Sequence, residues 1–578
     1  MEGMSLLMAG VERITVIPRK PIMKRRTLKR RTFLKGAGLA GATLLGAGAI
    51  PATRMLSEPA PALAAGERPN ILFIMVDQLR PPQWFPPQPE LDAMLPALAR
   101  LRAGAVNFGH HYTAATMCQP ARACLLTGLY THQTAVLSTG AGTPTGGQAN
   151  VSGLNPGFPT WGTMLRQMGY QTNYYGKWHL SNTCDLEPYG FSGGTCPSPN
   201  GTPGQGLTDD GFITDQFLQW FKAHGSNGPW CTTVSFVNPH DIAWFPRFTR
   251  ILQGENNPPR IFTKLPANFE TPQHLLAQRK PRLQRAMQQF ENVFFGLVPF
   301  GGPGSEKIWL RLLDTYLQMQ RYVDQQIGRV LLALEAKPDI KRRTIIIFTS
   351  DHGEYAGSHG LRGKGGPVYE ESIRVPLYVK DHTGVYARST DITRTQLTSS
   401  VDIVPLLLTL ASGGNAWRQQ PQYAHLAQRL DLAAILRNPS APGRPYVLHT
   451  MDEDEVEGLA ITRQARNAPA HVIAYRTATA KLGLYSFWKP GSIEIQTAGQ
   501  EAEVYDYRTR RGRMELENVA MADQRLYNRL YNALVSNTIA NELRAPLPAA
   551  LQPAQQAGLQ SYLQMQAQGG RLLDPTRG

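Results

Sequence analysis

Cys118-Gln119-Pro120-Ala121-Arg122-Ala123-Cys124-Leu125-Leu126-Thr127-Gly128 is the stretch around which the chain orders itself. A cysteine, a proline two residues on and an arginine four on run into an apolar turn that stops at glycine. Pro120 has a fixed φ and no N–H, which suits the first turn of a helix. Cys118 then sits near a helix N-terminus, where unpaired N–H groups and the dipole favour an anion. Arg122 lies one turn on along the same face. Cysteine and arginine therefore converge where an anion would bind.

Upstream, Asn70 to Val76 is a continuous apolar run of strand length, as expected of a strand covered on both faces of a parallel sheet. It ends in Asp77-Gln78. Three more predicted strands end in polar residues. Residues 171–175 run into Lys177-Trp178-His179, 231–237 into Asn238-Pro239-His240, and 344–350 into Asp351-His352. In open α/β sheets, ligands bind beyond the carboxyl ends of the strands. A further strand is predicted over 375–379. Apolar spacing predicts helices over 91–101, 163–168, 212–223, 316–335 and 401–410. Residues 138–160 and 181–210 read as loops, and 245–305 as a long Pro-rich excursion suited to a pocket wall or lid.

Beyond about residue 440, short strands at 446–450, 471–475, 481–488 and 504–507 predict a small, mostly antiparallel sheet. The fold class is α/β: a large mixed, mostly parallel sheet sandwiched by helices, with a smaller C-terminal antiparallel sheet domain. The chain divides into a targeting segment (1–65), a catalytic domain (66–435), a small α+β domain (436–520) and a partly helical tail (521–578).

The strand-end residues carry complementary chemistry. Asp77, Gln78 and Asp351 supply hard oxygens and His352 a nitrogen, a set that suits calcium or magnesium. Arg122, Lys177 and Lys364 supply fixed positive charge, which with a metal would neutralise a tetrahedral oxyanion in transfer. His179 and His240 supply proton transfer. Taken singly, each has a plainer reading: a turn-closing aspartate, a solvated loop lysine, a structural histidine. His110 and His111 keep that plain reading, and the acidic run Asp452 to Glu457 reads as a solvated loop. Trp244 and Phe245, just after His240, point to an apolar or aryl leaving group.

Lys29-Arg30-Arg31-Thr32-Phe33-Leu34-Lys35 precedes a short Gly/Ala-rich apolar run and then Ala62-Leu63-Ala64, the layout of a twin-arginine-type export signal with cleavage near Ala64. The expected location is periplasmic or secreted, reached through the twin-arginine export machinery. The formal charge is +16, but residues 1–65 hold 11 Lys/Arg against 3 Asp/Glu. About half the excess leaves with that segment, and no nucleic-acid-binding motif is present. No apolar run has the length of a stable membrane span. Of five cysteines, Cys184 and Cys196 share a Gly/Pro/Ser-rich loop where a disulfide would form in an oxidising compartment. Cys231 opens an apolar strand and reads as buried.

These motifs resemble the sulfatases, a branch of the alkaline-phosphatase-like superfamily. The matching pieces stand in family order: I-L-F-I-M-V-D-Q, C-Q-P-A-R-A-C-L-L-T-G, Y-G-K-W-H-L, N-P-H-D, T-S-D-H-G-E, Gly363-Lys364, and Tyr369 to Pro376. The resemblance covers roughly residues 66–520. It implies that a maturation enzyme oxidises Cys118 to Cα-formylglycine. One hydroxyl of its hydrate would attack sulfur and displace the alcohol, and the other would then expel sulfate. It implies that Arg122 and Lys177, helped by His179, hold the hydrate. His240 and Lys364 would grip the sulfate, with His240 a candidate acid for the leaving oxygen. Asp77, Gln78, Asp351 and His352, with the modified Cys118, would hold one calcium ion, ahead of magnesium or manganese. The implied activity is an arylsulfatase-like sulfuric ester hydrolase acting on a small-molecule or glycan sulfate ester.

Two positions depart from the common pattern: Ala121 where many members have serine, and Gln78 where many have a second aspartate. Two other readings stay open. One is a phosphonate monoester hydrolase or phosphodiesterase on the same scaffold. The other is a non-catalytic anion-binding relative with unmodified Cys118.

Overall fold

The computed structural model describes residues 67–139, 153–181, 183–249, 258–453 and 468–572. The expected export signal in 1–65 lies outside the described residues, as does the acidic run beyond Glu453.

The strands, in chain order, are β1 (Asn70–Asp77), β2 (Val106–Asn107), β3 (His111–Tyr112), β4 (Gln171–Gly176), β5 (Ser192–Gly193), β6 (Trp230–Pro239), β7 (Thr344–Ser350), β8 (Leu377–Asp381) and β9 (Thr398–Ser399). Seven of them build one sheet in the order β2-β8-β7-β1-β6-β4-β5. β7, β1, β6, β4 and β5 are parallel neighbours, whereas β8 and β2 add an antiparallel edge. β3 and β9 pair separately.

Every residue of β1 is buried because both of its faces are covered. Ile71, Phe73 and Met75 point into one core, shared with Leu125 and Leu126 of the helix Cys118–Thr127 and with Leu406, Leu407 and Leu410 of the helix Ile403–Ser412. Leu72, Ile74 and Val76 point into the other, with Phe217 of the helix Gln205–His224 and Val323, Ile327 and Val330 of the helix Ser305–Glu335. Side chains alternate across a strand, so a continuously apolar strand needs two cores. This is the predicted helix-covered, mostly parallel sheet.

A second sheet joins β10 (Tyr446–Asp452), β11 (His471–Thr477), β12 (Ala480–Trp488) and β13 (Ile495–Asp506), all antiparallel. One face packs Ile473, Leu482 and Leu484 on Leu526, Leu530 and Leu534 of the C-terminal helices. The other packs Val472, Tyr485 and Tyr505 on Leu283, Met287, Leu361 and Tyr369. The small sheet thereby buttresses the loop between β7 and β8.

Several boundaries differ from those predicted. The helix expected over 91–101 is two helices, Gln88–Met94 and Pro96–Arg102, because Pro96 forces Leu95 out of helical geometry (φ −126°, ψ 63°). The helix expected from Phe212 begins at Gln205, inside the expected loop; its opening turns hold Gly206, Thr208, Asp209, Asp210 and Gly211, weak helix formers stabilised by tertiary contacts. The excursion 245–305 holds the helices Pro272–Ala277 and Arg282–Phe294. Asp452 and Glu453 are not solvated but buried: Asp452 accepts from Trp488 and Tyr562, and Glu453 accepts from the Gly366 N–H. Cys184 and Cys196 form the disulfide, with Cα atoms 5.4 Å apart, and Cys231 is buried.

Candidate active site

Four adjacent parallel strands, β7-β1-β6-β4, end at one edge of the sheet. Asp77 closes β1, Asp351 and His352 follow β7, His240 follows β6 and Lys177 follows β4. The helix Cys118–Thr127 starts at the same edge, with Cys118 as its first residue after an extended Met117, and stops where Gly128 turns left-handed (φ +72°). Sheet topology alone therefore gathers residues that are more than 270 positions apart in sequence.

The Cys118 sulfur is the centre of the cluster. Lys364 Nζ lies 2.8 Å from it, His352 Nε2 3.3 Å, Asp77 Oδ1 3.6 Å and Lys177 Nζ 3.7 Å. His179 and His240 stand beside the sulfur and interact with it electrostatically. The Nδ1 atom of each is buried without a hydrogen-bond partner among the described residues. Asp77 Oδ2 takes Lys177 Nζ at 2.7 Å and Arg122 Nη2 at 3.1 Å. Asp351 Oδ2 takes Arg122 Nε at 2.9 Å. Arg122 Nη1 donates to the Lys177 carbonyl and to Ser235 Oγ. The guanidinium thus locks two carboxylates and the end of β4 together, and it meets the sulfur through charge.

The site is almost sealed. Asp77, Gln78, Arg122, Lys177 and His352 have no exposed surface, and the Lys364 side chain retains 11%. Burial opposes ionisation of the Cys118 thiol, but Lys177, Lys364 and His352 outweigh it and hold the thiol well below its usual range. Burial and the Cys118 charge push the Asp77 carboxyl up; Lys177 and Lys364 overcome them and keep it low. Burial, then the Asp77 charge, pushes Asp351 up to about 6. Burial, then Lys177 and Lys364, pushes His240 down to about 3, so its imidazole is neutral. Arg122, Lys177 and Lys364 balance Asp77, Asp351 and the ionised Cys118 sulfur, so a neutral group at position 118 leaves the site a receptor for an anion.

A family model described as Sulfatase matches residues 69–414. The chain belongs to the sulfatase family. This sulfatase is 28% identical over 390 residues to the choline-sulfatase of Rhizobium meliloti, covering 60% of this chain and 68% of the relative. It is 26% identical over 405 residues to the N-acetylglucosamine-6-O-sulfatase of Bacteroides thetaiotaomicron, again covering 60% and 68%. In fold it is similar to the phosphonate monoester hydrolase of Silicibacter pomeroyi, with a TM-score of 0.60 at 22% identity over 84% of this chain and 97% of that one. At the family level this sulfatase is a hydrolase of sulfate esters.

All ten residues singled out in the sequence stand in this pocket or against it. The donor atoms of Asp77, Cys118, Asp351 and His352 lie within 4.8 Å of one another, and Gln78 joins them through its N–H to Asp351 and its Oε1, which accepts from Lys364. His110 and His111 bond instead to the Thr395 carbonyl and the Thr398 hydroxyl. Among the described residues, His359, Glu371 and Glu515 form one other such group. Lysines already neutralise its surroundings: Lys481 pairs with Glu515, and Lys280 pairs with Glu270, the partner of His359 Nδ1.

Sequence reasoning missed the supports. Asp210 accepts from the Val237 and Asn238 N–H groups at 2.7 and 3.0 Å and so sets the turn that carries His240. Nothing in the pattern around Asp210 signals this. Glu354 was in plain view within T-S-D-H-G-E, yet only the fold shows it bonded to Gln78.

Proposed function

We propose that this sulfatase hydrolyses sulfate esters through a formylglycine made from Cys118, with a divalent cation, calcium first, held by Asp77, Gln78, Asp351 and His352. The observation that carries this reading is the crowding of Lys364, Lys177, His352, His179, His240 and Asp77 around one buried sulfur. A lone structural thiol needs none of them. The donor set fits a hard cation: two buried carboxylates are pressed together, and burial, then the Asp77 charge, raises Asp351. Such a cation would supply Lewis-acid stabilisation of charge on the transferring group. The formylglycine hydrate would supply the nucleophilic hydroxyl and, with its second hydroxyl, the release of sulfate.

The chain's own residues supply the rest. Lys364 and His240 grip the sulfate oxygens, and Lys177 and His179 orient the group at position 118. Arg122 holds the carboxylates in place. His240 enters neutral, and an arriving anion raises its proton affinity, which suits donation of an N–H to the leaving oxygen. On the alcohol side, Trp244, Phe248, Phe295, Phe290 and Phe294 form a connected aromatic wall, with ring centroids 4.7–6.2 Å apart along the chain of contacts. Trp244 Nε1 donates to the Gly201 carbonyl, and a Cβ on Gly201 would stand 2.4 Å from the His240 ring, so this wall adjoins His240. Phe245 is not part of it; its side chain is buried in the core. The wall favours an aryl alcohol. The Cys184–Cys196 bridge supports export to an oxidising compartment, and among the described residues no helix is long and apolar enough to cross a membrane.

Mass spectrometry of the Cys118 peptide from the native host tests the nucleophile: formylglycine is expected, and unmodified thiol alone overturns the mechanism. Rates on an aryl sulfate and an aryl phosphodiester test the substrate, with the sulfate expected to turn over faster. The second reading, a phosphonate monoester hydrolase or phosphodiesterase, draws on Gln78, which leaves the metal site one negative charge short of a two-aspartate pair. A clear preference for the diester would establish it instead.

A further inference from the structure

All four polar groups of Gln78 are fixed. Its backbone is left-handed (φ +69°), a strained conformation for a residue with a side chain. The N–H donates to Asp351 Oδ1 at 3.2 Å, and the carbonyl accepts from the Tyr316 hydroxyl at 2.8 Å. The side-chain Nε2 donates to Glu354 Oε2, and Oε1 accepts from Lys364 Nζ at 3.0 Å. Lys364 Nζ also lies 2.8 Å from the Cys118 sulfur and 3.8 Å from Asp77 Oδ1, so Oε1 looks into the cluster.

An amide can be turned over with little change in shape, and only its partners decide which end faces where. Glu354 decides it here. Its Oε2 accepts from the NH2 end, which leaves the Gln78 oxygen toward the pocket. Glu354 is fully buried and itself held: Oε1 accepts from the Ala356 N–H at 2.9 Å and the Gly363 N–H at 2.6 Å. The second contact also sets the backbone immediately before Lys364. One buried carboxylate therefore holds both the Gln78 amide and the backbone that precedes Lys364.

We infer that Glu354 is a positioning residue that makes Gln78 present its carbonyl oxygen, rather than its NH2, to the cation. This rests on the reading of the cluster as a cation site. The role follows from this chain having glutamine at position 78: a carboxylate there is symmetric and needs no such orientation.

The test is a double-mutant cycle read by calcium titration calorimetry on the full chain after chelation, independent of turnover. Glu354→Gln is nearly isosteric. Its oxygen can keep the Ala356 and Gly363 N–H groups while its NH2 meets Gln78, which must then turn its own NH2 inward. Calcium affinity is expected to fall about ten- to a hundredfold, the usual effect of losing an outer-sphere partner. In a Gln78→Asp background the same Glu354→Gln change is expected to cost less than about twofold, a coupling that only the orientation role produces. An equal loss in both backgrounds, or no loss in either, overturns the inference while leaving the metal site standing. Absence of calcium, magnesium and manganese binding by the unmutated chain overturns the metal reading itself and the inference with it.

Discussion

Arg122 shows what a single side chain does here. It has no exposed surface and spends its planar fork on Asp351, Asp77, Ser235 and the Lys177 carbonyl. A bidentate geometry of this kind is not reproduced by a point charge. Arg122→Met would leave Asp77 and Asp351 facing each other without their common counter-ion. Breaking a buried pair by removing one partner costs about 3–5 kcal/mol. We expect a loss of that size in urea unfolding, together with loss of turnover, and an unchanged unfolding midpoint would show that the ion pairs contribute nothing. Arg122 was legible in the sequence as a cation beside a cysteine. Its place as a clamp between strand ends was not, because its partners are 45, 55, 113 and 229 residues away.

At the scale of elements, the excursion between β6 and the long helix Ser305–Glu335 defines the alcohol side of the pocket. Arg362, two residues before Lys364, donates to the carbonyls of Phe245, Glu291 and Gly296 and so ties the loop of Lys364 to the aromatic wall. The helix Arg282–Phe294 was legible and passed over within the Pro-rich excursion: Leu283, Ala286, Met287, Phe290 and Phe294 recur at helical spacing, although its buried face also carries Gln284, Gln288 and Glu291. Those polar groups are held by tertiary partners: Gln284 by Glu503 and Tyr369, Gln288 by the His359 carbonyl. For the wall itself, Trp244→Ala is expected to lower kcat/KM on an aryl sulfate about tenfold, about 1.4 kcal/mol of lost ring contact, and on a small alkyl sulfate about twofold or less. Steady-state kinetics on the two substrates decide it; equal losses would remove the wall from substrate recognition.

Across the whole molecule, several buried histidines are kept neutral. Burial pushes His111 down to about 4; burial and Arg544 push His132 down to about 3; burial pushes His449 down to about 3. In the unfolded chain each titrates near 6.5. Below that value the unfolded state binds more protons than the folded one, so stability is full above about pH 6.5 and falls as the pH drops toward 4. Each histidine costs about 2 kcal/mol at pH 5 on this basis. The melting temperature should therefore fall from pH 7 to pH 5. His132→Gln, which does not titrate, should flatten that decline by up to one proton, about 1.4 kcal/mol per pH unit; an unaltered slope would mean that His132 charges without unfolding.

The sequence by itself determined that an apolar β1 lies inside a two-faced sheet and that four strand ends carry chemistry. It also determined that Cys118 opens a helix toward them. These follow from local rules: the alternation of side chains along a strand, the missing N–H of Pro120 and the left-handed freedom of Gly128. Only the tertiary structure decided that β7, β1, β6 and β4 are neighbours in that order, which brings Asp77, Lys177, Asp351, His352 and Lys364 within reach of one sulfur. It alone revealed that Glu354 faces Gln78. Strand order and amide orientation are set by contacts between residues far apart in the chain, and no local periodicity records them.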